Sequence, residues 1–424
     1  MRHRRLILPL LVLAVAGLMF SAAAEGAGVR GWPMRKEGDV WAVQTPHYLL
    51  HTDHEPEVAQ LIVAQQEALF RELYKRMGKI KPNQLSGRFK IKVFTGQGRY
   101  LKELGPSAMG SQGLYMHHKD LLAAWGPPEY LEVVFETLRH EGTHQFVMHF
   151  IGPETPIWLN EGLAVFYQHS RFKDGELELG EVPPKRILRL KSAIEKHQVI
   201  HLGRMLRMSH MEWLNAVHVG GSHAGLQYDQ AWAMVHFLAF ANRQRYRGPF
   251  SQFIYYIARG REPYRAWEQT FGTNFAAFEE RWKEYVGSLD AIENLPCRDR
   301  LQVLALLVLR FHKKHPEALK DLPTFRKALM DGSLGEWAIT SGGGLAFKHD
   351  DAKSIPLLFR CPNDDRKNVE TSYEMLPGEA GGPPVIRCDH HVGYLLQTHY
   401  ERDSNEGPFS VRVITKPNLP KTGR

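Results

Sequence analysis

LRHEGTHQF (residues 138–146) and, shortly after it, PIWLNEGLAVFY (156–167) carry more information about this 424-residue chain than any other part of it. The first contains His140-Glu141-x-x-His144, and sixteen residues separate His144 from Glu161 in the second. On an α-helix, positions i and i+4 share a face with Cβ atoms about 5–6 Å apart, so one metal ion can take a ring nitrogen from each of His140 and His144. Glu141, about 100° further around the axis, stands beside such an ion rather than on it. Glu161 supplies a carboxylate. Two imidazoles and a carboxylate leave a fourth position open, the ligand set expected of a catalytic Zn2+ site with Glu141 as general base.

The flanking residues predict the helices this geometry needs. Pro127 and Pro128 precede the first, Leu131, Val134, Phe135, Leu138 and Phe146 recur at helical spacing, and Gly152-Pro153 closes it. In the second segment Trp158, Leu159, Leu163, Ala164, Phe166 and Tyr167 form an apolar stripe that would bury itself against the first helix. The plainer role for Glu161 is a carboxylate favoured by the positive end of its helix.

Outward from this pair the pattern predicts an α+β fold. Residues 40–53 alternate as one or two strands, Pro56 opens an amphipathic helix that Gly78 ends, and Phe89, Ile91 and Val93 alternate with Lys90 and Lys92 as a half-buried strand. Residues 113–116 and 121–125 form a short strand pair directly before the HExxH helix. Strands with one helix, followed by a helical half reaching about residue 290, give the α+β order. In that half, residues 187–197 are a Lys/Arg-laced helix whose charges read as a solvated face, and His236 reads as packed core. Tyr228 and His223 are candidate donors for an oxyanion opposite the base, Tyr228 being the stronger and otherwise a core aromatic. After Leu289 the composition shifts. Residues 298–330 hold one more helical stretch, and Gly342-Gly343-Gly344 opens a loop-rich, strand-poor tail in which IPLLFRC (355–361) and VIRCDHHVGYLLQTHY (385–400) are strand candidates.

HExxH followed by WLNEG resembles the gluzincins, zinc metallopeptidases whose third ligand is that Glu, and WLNEGLA is similar to the aminopeptidase-N wording. The GxMEN signature of that family has no counterpart: residues 110–116, GSQGLYM, lack its acid. The His–Glu spacing is also a little shorter, so an aminopeptidase is not implied. Residues 39–290 more fully resemble the bacterial peptidase MA-like group, including Tyr228-Asp229-Gln230-Ala231-Trp232 and AWEQTFGTNFAAFEERWKEYV (266–286). The resemblance implies a zincin-like domain, a small mixed sheet and active-site helix followed by a helical subdomain. It implies Zn2+ on His140, His144 and Glu161, and Glu141 as base. A zincin cleft would have strand 113–116 as its exposed edge, where peptide binds by strand addition. Thermolysin-like relatives carry an Asp four residues after the Glu ligand to brace a histidine; Val165 stands there in this chain, leaving Glu136 or Asp229 as candidates for that task.

The expected reaction is zinc-dependent hydrolysis of a peptide or closely related amide. The alternatives are a zinc-containing envelope protein that binds without cleaving, and a non-peptide amide hydrolase. Residues 1–24, with Arg2, Arg4 and Arg5, an apolar run from Leu6 to Phe20 and a Ser-Ala-Ala-Ala end, predict a signal peptide and hence a periplasmic or secreted protein. A retained N-terminal anchor is the alternative; no later stretch is long enough to span a membrane. Loss of the leader lowers the formal charge from +8 to +5, too mild and dispersed for nucleic acid. The domains read as leader 1–24, peptidase domain 25–290 and a C-terminal region 291–424. Of the three cysteines, Cys361 and Cys388 are the expected disulfide, with Cys297 left over. The competing reading is a second metal site built from Cys361, Cys388, His390 and His391.

Overall fold

A computed structural model describes residues 31–417 except 78–79, 81–86, 220–224, 292–294, 341–345, 363, 365, 367–368, 379–381, 392–393 and 403–408. The expected leader, His223 and the Gly342–344 run lie outside the described residues.

The N-terminal half is built on β1 (Met34–Glu37), β2 (Val40–Gln44), β3 (Tyr48–Thr52), α1 (Pro56–Met77), β4 (Phe89–Phe94), α2 (Gln97–Leu104), β5 (Gly113–Met116) and β6 (Leu121–Trp125). Residues 40–53 thus make two strands. The six strands form one mixed sheet in the order β1-β2-β3-β4-β6-β5. β3, β4 and β6 run parallel, whereas β5 pairs antiparallel with β6, Gly113 opposite Ala124 and Met116 opposite Leu121, and ends the sheet. Alternation along β4 buries Phe89, Ile91 and Val93 under α1, whose apolar face runs through Leu61, Ile62, Leu69 and Leu73.

α3 (Leu131–Phe150) carries HExxH and α4 (Ile157–Gln168) carries WLNEG. Between them Gly152, with φ of +111°, makes the turn that the sequence marks with Gly-Pro. The hairpin β7 (Arg171–Lys173) and β8 (Glu176–Glu178) leads to helices α5 (Pro184–Glu195), α6 (Leu202–Met205), α7 (His210–Val219), α8 (Leu226–Gln244), α9 (Arg247–Ala258), α10 (Pro263–Phe271) and α11 (Phe275–Ser288). α8 packs along α4, with Trp232, Val235 and Leu238 buried. His236 is core, as its position suggests, with Nδ1 2.7 Å from the Tyr285 hydroxyl and Nε2 3.2 Å from Gly180 O. On α5 the charges are not all solvated. Arg186 and Arg189 both turn inward onto Asp229, whose side chain is fully buried.

The C-terminal region holds α12 (Cys297–Phe311), α13 (Leu322–Met330), β9 (Ala338–Thr340), β10 (Ala346–Lys348), α14 (Ser354–Leu358), β11 (Glu374–Leu376), β12 (Val385–His391), β13 (Tyr394–Arg402) and β14 (Phe409–Pro417). Two expectations change here. IPLLFRC is not a strand: Asp351 Oδ1 accepts from Ser354 N, and Ile355, Leu358 and Phe359 bury the face of a short helix. The tail is not strand-poor either, because β11-β12-β13-β14 form a four-stranded antiparallel sheet packed on α12. VIRCDHHVGYLLQTHY does supply two of those strands.

The region shares one continuous apolar core with the preceding part of the chain, running from Leu138 and Trp158 to Leu304 and Ile386. Arg298 pairs with Glu132 on the first turn of α3 at 2.5 Å and donates to Val413 O at 2.7 Å. Thr415 Oγ1 accepts from Leu131 N at 3.0 Å and donates to Pro128 O at 3.1 Å. No helix among the described residues is long and apolar enough to cross a membrane.

Candidate metal centre

α3 and α4 pack against each other with His140, His144 and Glu161 turned toward one point. The two Nε2 atoms are 3.2 Å apart, and Glu161 Oε2 lies 3.8 Å from that of His140 and 3.7 Å from that of His144. The two helices are backed by close packing at two glycines. A Cβ on Gly162 would meet the Ala231 carbonyl oxygen at 2.7 Å, and one on Gly142 would meet Gln66 Oε1 at 2.6 Å. The bare backbone at these positions lets α8 seat against α4 and α1 against α3.

Each histidine is oriented through its other ring nitrogen. His140 Nδ1 lies 3.0 Å from Gln168 Oε1, and His144 Nδ1 lies 3.0 Å from Asn160 Oδ1. With Nδ1 donating to an amide oxygen, the Nε2 lone pair faces the shared point, the tautomer a metal needs. The residues expected for this task sit elsewhere. Asp229 is taken by Arg186 and Arg189, with Oδ1 2.8 Å from Arg186 Nη1. Glu136, one turn before His140 on α3, lines a cavity together with Glu132 and His169 instead of reaching a histidine of the site. Val165 is buried core. Asn160 and Gln168 flank the Glu161 helix at its two ends; Asn160 beside Glu161 was the one signal in the sequence, and Gln168 carried none.

Burial and the neighbouring His144 lower the pKa of His140 to about 3, so it is neutral and ligand-ready over the physiological range. For His144, burial pulls downward but the Glu161 and Glu141 carboxylates outweigh it and hold the pKa above the usual value. Burial raises Glu161. The three side chains keep 14–20% of their surface exposed, so the point at which they meet is open to solvent and to a ligand.

Glu141 points to the sheet edge. Its Oε2 accepts from Tyr115 N of β5 at 2.9 Å, and burial holds its carboxyl above the usual range against the pull of His144 and of that amide. β5 is in turn tied to α3 through Asp120, which accepts from the Tyr115 hydroxyl at 3.1 Å and lies 2.8 Å from His149 Nε2. Tyr228, on the first turn of α8, stands edge-on to Trp213 at 5.2 Å. Its hydroxyl pKa is raised by burial and then by Glu161 and Glu141, which puts it within electrostatic reach of both. His210, at the start of α7, also acts electrostatically on Glu161, and the sequence reading did not single it out.

The donor set fits a divalent ion that accepts nitrogen and oxygen: two imidazoles and a carboxylate, preoriented and solvent-accessible, with an acid alongside.

The cysteines are arranged differently from the expected Cys361–Cys388 disulfide. No disulfide joins any of the three, and Cys297 lies with Cys361 and Cys388 in one buried cluster. The three come from distant segments that fold onto one another, which spacing along the chain cannot show.

Residues 134–259, which include His140, Glu141, His144, Glu161 and Tyr228, match the family described as protein of unknown function (DUF1570). Among curated proteins none matches the chain.

Proposed function

We propose that the protein is an exported zinc-dependent hydrolase of peptide bonds, a gluzincin-type metallopeptidase with a zincin-like architecture. The observation that carries this reading is the position of Glu141: a half-buried acid next to His140 on the same helix, acting electrostatically on His144 and hydrogen-bonded to the edge strand along which a peptide would lie. A protein that only stores or senses metal has no use for that acid.

His140, His144 and Glu161 would hold Zn2+, which when bound would supply a Lewis acid for the substrate carbonyl and a lowered pKa for water at the site. Glu141 takes the proton of the attacking water and delivers it to the leaving amine. Tyr228 donates its phenolic hydrogen to the developing oxyanion. β5 ends the sheet, so an extended substrate adds beside it as a further strand, main chain to main chain.

Comparison of wild type with Glu141→Gln for metal content and for cleavage of an unbiased peptide library tests the reading. Equal loading with cleavage reduced by about 10²–10⁴-fold is expected. Zinc-loaded, folded wild type that cleaves no peptide overturns it; product from another amide class would redirect it to a non-peptide amidase.

A further inference from the structure

We propose that Cys297, Cys361, Cys388 and His391 bind a second metal ion, a structural Zn2+ that staples the C-terminal region together beneath the HExxH helix. One ligand atom from each of the four residues lies within 4.8 Å of every other. Cys297 Sγ and Cys388 Sγ are 3.2 Å apart. Zn–S bonds of about 2.3 Å in a tetrahedron place sulfurs about 3.7 Å apart, so the cluster closes around an ion with small movements. Three thiolates and an imidazole are soft donors that select Zn2+ over Mg2+ or Ca2+. Four protein ligands leave no open position, which makes the site structural rather than catalytic.

The backbone is shaped for this grouping. Cys297 is the first residue of α12, Cys361 follows α14, and Cys388 and His391 both lie on β12. Residues three apart on a regular strand face opposite sides. The register between β12 and β13 shifts between Cys388 and His391, and that irregularity brings both side chains to one face. The Cys361 segment is pinned to α12 by Arg300, whose Nη1 donates to Leu357 O at 2.6 Å and Arg360 O at 2.8 Å. Tyr373 also donates to Arg360 O, at 2.9 Å, and its hydroxyl lies 3.8 Å from Cys297 Sγ. Cys297, Cys361 and Cys388 are 4%, 3% and 0% exposed, an apolar setting in which a bound ion is shielded from exchange. His390, the neighbouring candidate from sequence, turns instead to Ser372 O at 2.9 Å. A cavity of about 110 Å³, lined by Cys297, His391, Glu132 and Glu136 among others, reaches the cluster and gives an ion its way in.

Metal analysis of the full chain, purified without reducing agent or chelator, should give two zinc ions per chain. His140→Ala/His144→Ala should retain one, and chelation of that remaining ion should lower the midpoint of thermal unfolding. The same double variant reconstituted with Co2+ should show thiolate-to-cobalt charge transfer and tetrahedral ligand-field absorption. Cys297→Ser/Cys388→Ser should lose one ion and those bands while keeping the ion at His140 and His144; if that variant does not fold, the cobalt spectrum of the histidine variant decides alone. A single ion that disappears in His140→Ala/His144→Ala, a cobalt spectrum without sulfur ligation, or a disulfide among the three cysteines in non-reducing peptide maps each overturns the proposal.

Discussion

At the residue scale the metal triad depends on two neutral amides. Gln168 and Asn160 each place an amide oxygen 3.0 Å from an Nδ1 of the pair. Substitution of either by Ala frees the ring and leaves the tautomer unset, so Asn160→Ala and Gln168→Ala should each weaken zinc binding about 10–100-fold by competition with a chelating dye. Glu136 is the residue whose charge matters for pH. Burial and then the Glu132 carboxylate push it up to about 7 from 4.5. Between those values the folded chain keeps a proton that the unfolded chain has released, so stability falls as pH rises through the window and stays lower above it. Glu136→Gln removes this term. It should raise stability by about 1–3 kcal/mol at pH 8 and change it little at pH 4, as read from denaturant unfolding at the two pH values. The shared face of His140 and His144, with Glu141 beside it, was legible from sequence because i, i+4 geometry is local. Asn160 and Gln168 were not, since their role depends on how α4 lies across α3.

At the element scale the site rests on helices that approach more closely than side chains would allow. Gly162, next to Glu161, faces the α8 backbone, and Ala231 O cannot retreat without breaking the helix there. Gly162→Ala should therefore cost about 1–3 kcal/mol and weaken metal binding, because α4 must move with its ligand. Gly142→Ala should cost less: its new methyl meets the ends of Gln66 and Leu69, at 2.6 and 3.0 Å, and those side chains can rotate. Thermal unfolding and zinc titration of the two variants distinguish the cases. The strands, α1 and the two metal helices follow from apolar periodicity and their Pro and Gly boundaries. IPLLFRC did not, since a short apolar run fits helix and strand alike until neighbours bury one face.

At the scale of the whole molecule, the C-terminal region completes the HExxH helix from far along the chain. Tyr130 offers α3 no side-chain cap, and Thr415 Oγ1 accepts from Leu131 N in its place. Thr415→Val keeps the shape and removes the acceptor. It should lower stability by about 1 kcal/mol, in the range of a lost N-cap, by chemical denaturation. The Arg298–Glu132 pair, beside Cys297, makes a second tie between the same elements.

The sequence by itself determined the local chemistry: which helix carries the two histidines, where its neighbouring acid stands, which residues make the sheet beyond its first strand, β1, and in what order strands give way to helices. Periodicity and i, i+4 spacing are properties of a single element, so they can be read without knowing its partners. Only the tertiary structure decided what holds those groups in place. The amides behind the histidines, the glycines between helices, the Thr415 cap and the meeting of Cys297 with Cys361, Cys388 and His391 all join segments whose separation along the chain says nothing of their distance in space.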